Sequence, residues 1–302
     1  MLNDTLTEPS QGSKTIPKIL HALWLQGREN APPYVQANLD RWERLNPDYE
    51  LRVIDRQGVR DLLAHTGIDT DWFQPSALAN IARLQLLYNH GGVWTDATLL
   101  PTRPLSDWLD DIEKPDGFFA FSNPAPDRVL SVWFLVSTKA NPVIGTWLEG
   151  LLRYWEEDHA PFPTYVIPDD PVASVMPGKG RKDRKYPYFA FAYTFAYLLT
   201  VDPEFRAMWE RCPDVPAIPC HALLNLHKSG VKISPAQVEE CLQGAPVLKL
   251  NWRHSYHPAV LRRILDDHAN ERGFVEKAVH RILDETSWMA SSIKGLAQSK
   301  KR

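Results

Sequence analysis

The fold is decided by residues 75–98, "PSALANIARLQLLYNHGGVWTDAT". Leu78, Ile81 and then Leu84 or Gln85 recur at a spacing of three to four residues, which predicts a helix. Gly91 is a natural stop for that helix. The run that follows, "VWTDATLLP" at residues 93–101, predicts one continuous buried strand.

Upstream of this stretch, strand and helix patterns alternate. Elements are predicted as a strand "KILHALWLQG" at 18–27, a helix "PPYVQANLDRWERLNP" at 32–47, a strand "YELRVID" at 49–55 and a helix "QGVRDLLAHTG" at 57–67. Such β-α-β-α order favours a parallel sheet with helices on its faces. The chain is therefore predicted to be an α/β protein.

Downstream, the pattern continues into further strands and helices. Strands are predicted at 117–122 and 131–138, helices at 142–158 and 189–212, a late strand and loop at 245–256, and amphipathic helix at 258–296. Residues 159–187 hold six prolines and the basic run "GKGRKDRKYP". They predict an irregular excursion or lid in which Asp169 or Asp170 could orient an acceptor.

The composition is that of an ordinary soluble globular protein. The 302 residues are 44% hydrophobic and 24% charged with a net charge of −3, so no global field favours nucleic acid. Three cysteines at no metal-like spacing indicate reduced thiols and a cytoplasmic location. No apolar segment predicts a signal peptide or a spanning helix.

Asp96 raises a chemical question, because a carboxylate within a buried strand needs a partner or a cation. On a continuous strand, Trp94, Asp96 and Thr98 share one face. The preceding helix presents Asn80 and Arg83 on one of its faces and turns directly towards Asp96. Two interpretations stay open: a structural ion pair with Arg83, or a site that binds a sugar diphosphate through these groups and a metal.

The run "ALANIARLQLLYNHGGVWTDATLLPTRPLSDW", residues 77–108, resembles a glycosyltransferase family that has an Asp-x-Asp sugar-binding motif and includes the bacterial capsular polysaccharide synthesis proteins. That signature is similar to Ser-Asp-x-x-Arg, a spacer, and Gly-Gly-(Val/Ile)-(Tyr/Trp)-x-Asp-x-(Asp/Thr). Here it reads from Ala79 to Arg83 and from Gly91 to Thr98. The likeness extends over about residues 15–255 through "IPKILHALWLQG", "NPDYELRVID", "GFFAFSNP" and "LKLNW".

The resemblance implies a GT-A fold, which is a Rossmann-like mixed sheet flanked by helices, here with additional C-terminal helices. It also implies transfer of a sugar from a nucleotide-sugar donor to an acceptor hydroxyl, mostly with retention of configuration and with Mn²⁺ or Mg²⁺ as cofactor. The residues that it implicates in donor binding are Trp24 for the nucleobase, Asn80 and Arg83 for hydroxyls, Gly92, Asp96 for the sugar, and Thr98 for metal and diphosphate.

Two positions depart from the family pattern. Asn80 stands where Asp is usual, and Thr98 stands where many relatives have Asp. One carboxylate and one hydroxyl can suffice when phosphate and water complete the metal shell. Late residues are candidates to share this work: Lys249 and His254 for the leaving diphosphate and Asn251 for the metal.

These predictions combine into one assignment. We expect catalysis from Asp96, Arg83 and Lys249, and metal binding by Asp96, Thr98 and Asn251. We predict a disordered segment at 1–14, a GT-A glycosyltransferase domain at 15–257 and a helical extension with a basic tail at 258–302.

Partners follow from that assignment. The expected ligands are a nucleotide sugar and a saccharide or lipid-linked acceptor, in bacterial capsule or surface polysaccharide synthesis. The basic tail predicts peripheral contact with the inner membrane face. The alternative is a non-catalytic nucleotide-sugar binder or scaffold in a polysaccharide assembly complex.

Overall fold

The computed structural model describes residues 15–71, 73–156, 189–230 and 232–251. The strands, in chain order, are β1 (Ile19–Leu23), β2 (Glu50–Ile54), β3 (Gly92–Thr95), β4 (Leu99–Pro101), β5 (Phe118–Ala125), β6 (Arg128–Ser137) and β7 (Val247–Lys249). The helices are α1 (Pro33–Leu45), α2 (Arg56–Leu63), α3 (Pro75–His90), α4 (Pro142–Glu156), α5 (Ala190–Val201), α6 (Pro203–Glu210), α7 (Ala222–Lys228) and α8 (Pro235–Gly244).

The chain folds into two compact units. The first takes the described residues of Met1–Arg28, Asn46–Asp96 and Leu105–Ile218, and the second takes those of Glu29–Leu45, Ala97–Pro104 and Pro219–Arg302. Each unit is therefore assembled from segments that are distant in sequence. The predicted domain limits at 14 and 257 fall outside the described residues and stay predictions.

A five-stranded mixed sheet forms the centre of the first unit, in the order β2-β1-β3-β6-β5. The strands β2, β1 and β3 are parallel, while β6 is antiparallel to both β3 and β5. Helices α2, α3 and α5 contact these strands, and α3 packs on α4. The prediction of a mixed α/β sheet flanked by helices is confirmed.

The second unit pairs helices with a two-stranded sheet. Strands β4 and β7 are antiparallel, with Leu99 opposite Lys249 and Pro101 opposite Val247. Helix α1 contacts β4, and α7 and α8 contact β7. None of the described helices in either unit is long and apolar enough to cross a membrane.

The predicted strand over residues 93–101 is wrong as a continuous element. The strand β3 ends at Thr95, residues 97–98 form a turn, and β4 belongs to a different sheet. The break has a physical reason: the Asp96 N–H still donates to Trp133 O of β6, whereas Leu99 pairs with β7. Trp94, Asp96 and Thr98 therefore do not share one strand face.

Two helices were not predicted, α7 and α8. The second carries a signal that the sequence does contain, because Ser234 and Gln237 form a capping box at its start and Pro235 occupies its first turn. The remaining predicted strands and helices that fall on described residues are confirmed, with ends shifted by a few residues.

Candidate functional site

The candidate site lies at the carboxyl edge of the parallel strands. Trp24 follows β1, and its backbone N–H donates to Ile54 O at the end of β2 at 3.0 Å. Asp96 follows β3, which is hydrogen-bonded to β1. Because β2 and β3 lie on opposite sides of β1, the strand order reverses between β1 and β3. Open α/β sheets bind ligands in the crevice at such a switch point.

Arg83 is the partner that satisfies Asp96. Its Nη2 donates to Asp96 Oδ1 at 3.0 Å, and its Nη1 donates to Asn80 Oδ1 at 3.2 Å. The Trp94 indole N–H donates to the same Asp96 oxygen at 3.1 Å. The Arg83 side chain is 5% exposed and that of Asp96 is 24% exposed. Three of the four groups that the sequence predicts for the cluster, the acid, the amide and the guanidinium, therefore meet in the first unit, and the Asp96 carboxylate still reaches the surface. Their roles in donor binding stay predictions.

Two aromatic rings hold the Arg83 guanidinium. Its central carbon lies 4.7 Å from the Trp94 ring centroid and 5.2 Å from that of Phe191 in α5. Phe191 is in turn stacked on Trp147, with ring centroids 4.3 Å apart and planes inclined by 10°. This packing fixes the guanidinium plane, and with it the direction of the bond to Asp96. Sequence reasoning missed Phe191, because no local pattern links it to Arg83.

The glycine pair at the start of β3 is explained by packing. A Cβ on Gly91 would lie 2.6 Å from the Lys139 backbone nitrogen, and one on Gly92 would lie 2.5 Å from Ile19 O. Both residues also have positive φ, of 67° and 95°. The backbone of β1 thus fills the space beside Gly92, and its donor-binding role stays a prediction.

His21 lies on β1 beside this junction and is fully buried. Its Nε2 lies 2.9 Å from Gly91 O. Burial lowers the pKa of His21 from 6.5 to about 4, so the ring is neutral at pH 7 and Nε2–H donates to that carbonyl. The histidine thereby holds the end of α3 against the sheet.

In the second unit, Lys249 and Thr98 meet. Lys249 Nζ donates to Thr98 Oγ1 at 3.2 Å, although the two residues are 151 positions apart in sequence. The Leu250 N–H donates to Thr98 O at 3.3 Å. Asn251 is the last described residue of this segment. The structure thus brings together Thr98 and Lys249, two residues that the sequence predicts for the site.

Other predicted features lie outside the described residues. These are His254, Asp169, Asp170, the basic run at 178–187, the N-terminal segment 1–14 and the C-terminal extension 258–302.

Comparison with known proteins identifies the family. Residues 2–176 match the family model described as capsular polysaccharide synthesis protein, which is more than half of the chain. The chain belongs to this family. The matched segment contains five residues that the sequence predicts for donor binding: Trp24, Asn80, Arg83, Asp96 and Thr98.

Curated relatives of this family member carry glycosyltransferase names. The O-glycosyltransferase braB of Annulohypoxylon truncatum is 31% identical over 165 residues, which cover 47% of this chain and 38% of that protein. The O-glycosyltransferase PaGT of Phomopsis amygdali is 24% identical over 160 residues, or 46% and 39% of the two chains. The chain thus spans about two fifths of the length of the curated relatives that it matches.

Solved structures give a weaker likeness. The PaToxG glycosyltransferase aligns with a TM-score of 0.39 at 15% identity, over 77% of this chain and 89% of that one. The ligand-free glycosyltransferase domain of the YGT toxin aligns with a TM-score of 0.42 at 9% identity, over 84% and 95%. Scores of this size do not establish a common fold.

The donor set fits a metal that arrives with a phosphate ligand. In the part of the chain that the structure describes, no three His, Cys, Asp or Glu side chains are grouped so that they could hold a metal ion. Asp96 offers one carboxylate, whose Oδ1 already accepts from Arg83 and Trp94. Mg²⁺ is commonly bound by one or two carboxylates together with substrate phosphates and water.

Proposed function

We propose that this protein is a glycosyltransferase that moves a sugar from a nucleotide-sugar donor to an acceptor hydroxyl. The names of the curated relatives support this activity. The observation that carries the proposal is the cluster of Asn80, Arg83 and Asp96 at the switch point, where an α/β sheet binds nucleotides. The proposal includes the GT-A class of fold for the first unit.

The first unit supplies groups for the base and the sugar. Trp24 follows β1 and is half-buried, so its ring offers a stacking surface for the nucleobase. Asp96 accepts hydrogen bonds from sugar hydroxyls through its exposed side. Arg83 holds that carboxylate in place, because its own guanidinium is packed against two rings. Asn80 bonds the same guanidinium and offers its amide to a hydroxyl.

Charge on the leaving diphosphate is the main catalytic problem in this reaction. In the second unit, the Lys249 ammonium is a fixed cation at Thr98 and stabilises the diphosphate as the glycosidic bond breaks. When bound, Mn²⁺ or Mg²⁺ supplies further positive charge to the same oxygens. Asp96 of the first unit is the residue that we propose to hold the metal, with the donor's phosphates completing its shell, and the roles of Thr98 and Asn251 as metal ligands stay predictions from the sequence.

Finer features of the reaction belong to the proposal as well. We assign retention of configuration, with the acceptor attacking from the face of the leaving group. The acceptor class is a saccharide or a lipid-linked saccharide in surface polysaccharide synthesis, as the family description suggests. A cytoplasmic location with peripheral contact at the inner membrane face goes with a lipid-linked acceptor.

One observation favours a second function, non-catalytic binding of a nucleotide sugar. The oxygen Oδ1 of Asp96 is held by Arg83 and Trp94, as in a structural ion pair. A scaffold of a polysaccharide assembly complex would need no more than this. Calorimetry with UDP and GDP sugars, with and without Mn²⁺, followed by a turnover assay, separates the two functions, because a scaffold binds the nucleotide sugar without releasing diphosphate.

The deciding experiment replaces Asp96 by asparagine and measures diphosphate release from a panel of nucleotide sugars. The amide oxygen of the introduced side chain can still accept from Arg83 and Trp94, so we expect the fold to survive. We expect turnover to fall by about 100-fold or more, because the charge beside the reacting sugar is lost.

Asp116→Asn is the matched control. Asp116 is also 24% exposed and also paired with an arginine, since Arg211 donates to both of its oxygens at 2.8 Å. It lies before β5 instead of after β3, and we expect its variant to keep wild-type turnover. Equal losses in both variants, or full activity in Asp96→Asn, would refute the assignment of Asp96.

A further inference from the structure

Helix α1 holds the chain around Thr98 through hydrogen bonds from its side chains to backbone carbonyls. Three residues on one face of the helix, Asn38, Arg41 and Trp42, donate to the segment 97–101. The bonds are Asn38 Nδ2 to Ala97 O at 2.9 Å and to Leu99 O at 2.7 Å, Trp42 Nε1 to Leu99 O at 2.8 Å, and Arg41 Nε to Pro101 O at 2.7 Å.

These bonds replace a neighbouring strand. In the described structure β4 has three residues and pairs with β7 on one side. A two-stranded sheet of this size is marginal alone, and its free edge leaves carbonyls to be satisfied. Side chains of α1 satisfy those carbonyls from within the unit, so the helix and not a third strand determines where β4 lies.

Asn38 is the member of this group that acts on Thr98. Its amide nitrogen bridges the carbonyls of the residues immediately before and after Thr98. Because both acceptors are carbonyl oxygens, the nitrogen and not the oxygen of the amide must face them. Asn38 is 2% exposed, and its Oδ1 has no hydrogen-bond partner among the described residues.

The buried Oδ1 of Asn38 has an energetic cost. A buried acceptor without a partner destabilises the folded state, and a leucine of similar shape would avoid the penalty. What leucine lacks is the pair of N–H donors. The value of Asn38 therefore lies in the two bonds that fix the backbone on either side of Thr98, whose hydroxyl accepts from Lys249 at 3.2 Å.

We infer that Asn38 is a positioning residue that sets the Thr98 hydroxyl and, through it, the Lys249 ammonium for the leaving diphosphate. The inference rests on the proposed glycosyltransferase function for its catalytic consequence. Its structural part, the coupling of Asn38 to Lys249, is independent of that function. A test can therefore read the two parts separately.

The first measurement is the rate at which Lys249 is reductively methylated with formaldehyde, followed by mass spectrometry in the full chain without ligand. Variants Asn38→Leu and Thr98→Val are compared with Arg41→Met, which loses a bond to the same strand three residues beyond Thr98. We expect Lys249 labelling to rise by about five-fold in Asn38→Leu, which loses two buried hydrogen bonds, and in Thr98→Val, which loses the bond to Lys249 itself. We expect labelling to stay unchanged in Arg41→Met.

The second measurement is diphosphate release from UDP and GDP sugars by the same variants. We expect Asn38→Leu to lower kcat and kcat/KM equally, by about ten-fold, as for an interaction made in the transition state. Arg41→Met serves as the stability control and keeps both constants. Asn38→Gln, which retains the amide donors, is expected to recover part of the rate.

The outcomes separate the two ideas. Unchanged Lys249 labelling in Asn38→Leu overturns the positioning role, whatever the turnover. Raised labelling in a protein whose wild type releases no diphosphate from any nucleotide sugar supports the coupling and overturns the proposed function. Raised labelling with an unaltered kcat overturns the catalytic part of the inference, because the displaced ammonium would then have no part in the reaction.

Discussion

At the scale of single residues, His21 makes stability depend on pH. Burial lowers the pKa of His21 to about 4 in the folded state, against 6.5 for a free imidazole, with His90 and Arg52 acting in the same direction and Glu50 and the Gly91 carbonyl opposing them. Below pH 6.5 His21 is therefore protonated in the unfolded chain, whereas in the folded chain it stays neutral until the pH approaches 4. Stability contributed by neutral His21 is complete above pH 6.5 and is lost as the pH falls towards 4, by up to about 3 kcal/mol.

Denaturant unfolding between pH 7.5 and 4.5 measures this loss as the difference between the wild type and His21→Gln, whose amide can still donate to Gly91 O. We expect the wild type to lose more stability than the variant over this range. An NMR titration of His21 in the wild type gives a second reading that does not need the variant to fold. A ring that becomes protonated near pH 6.5 would contradict the prediction.

Residue-level prediction succeeded where partners are close in sequence. The contact between Arg83 and Asp96 follows from a helix face that turns at two glycines directly towards the carboxylate, and it forms at 3.0 Å. Phe191 and Asn38 could not be predicted, because their contacts join segments that are far apart in the chain. The sequence also left open whether a partner or a ligand satisfies Asp96, and the structure supplies the partner.

At the scale of elements, the junction of α3, β3 and β1 depends on glycine. A Cβ on Gly92 would lie 2.5 Å from Ile19 O, and the φ of 95° is strained for any other residue. We expect Gly92→Ala to lower the free energy of unfolding by about 3 kcal/mol or more, since backbone and not a flexible side chain is in the way.

Gly244→Ala is the comparison for this prediction, because a Cβ there meets nothing within 4 Å and its φ is not positive. We expect its unfolding free energy to stay within about 1 kcal/mol of the wild type. Urea unfolding of both variants measures the difference. A Gly92→Ala variant as stable as the wild type would contradict the prediction that the β1 backbone leaves no room for a side chain at this position.

Elements with strong periodicity were predicted well, and the errors have local causes. The strand over 93–101 was predicted as continuous because alternation of side chains does not reveal that hydrogen bonding changes from β6 to β7 at residues 96–99. Helix α8 begins with a capping box of Ser234 and Gln237, and this pattern is visible in the sequence, so the start of α8 was predictable. Helix α7 has seven residues and gives too short a pattern to detect.

At the scale of the whole molecule, the chain alternates between two units, and this was not predicted. Asp96 ends a segment of the first unit and Ala97 begins a segment of the second. A linear pattern of strands and helices carries no mark for such an exchange, because each unit is defined by contacts between distant segments. The sequence motif around Asp96 and Thr98 therefore supplies side chains to both units.

Binding of donor and metal should be coupled in the intact protein. Asp96 offers a metal one carboxylate, whose Oδ1 already accepts from Arg83 and Trp94, so Mn²⁺ alone is expected to shift the melting temperature little. A nucleotide sugar at about 100 times its dissociation constant adds about 2.7 kcal/mol, which corresponds to a shift of about 5 °C or more. We expect that shift to need both the nucleotide sugar and Mn²⁺ or Mg²⁺, and to disappear when EDTA removes the metal.

Melting curves with a panel of UDP and GDP sugars, each with Mn²⁺, with EDTA and with neither, decide the matter. Asp96→Asn should lose the joint shift while Asp116→Asn keeps it, because the two carboxylates match in exposure and in arginine pairing but not in their place on the sheet. A shift of equal size in EDTA would show that the nucleotide sugar binds without a divalent ion, and the metal prediction would then be wrong.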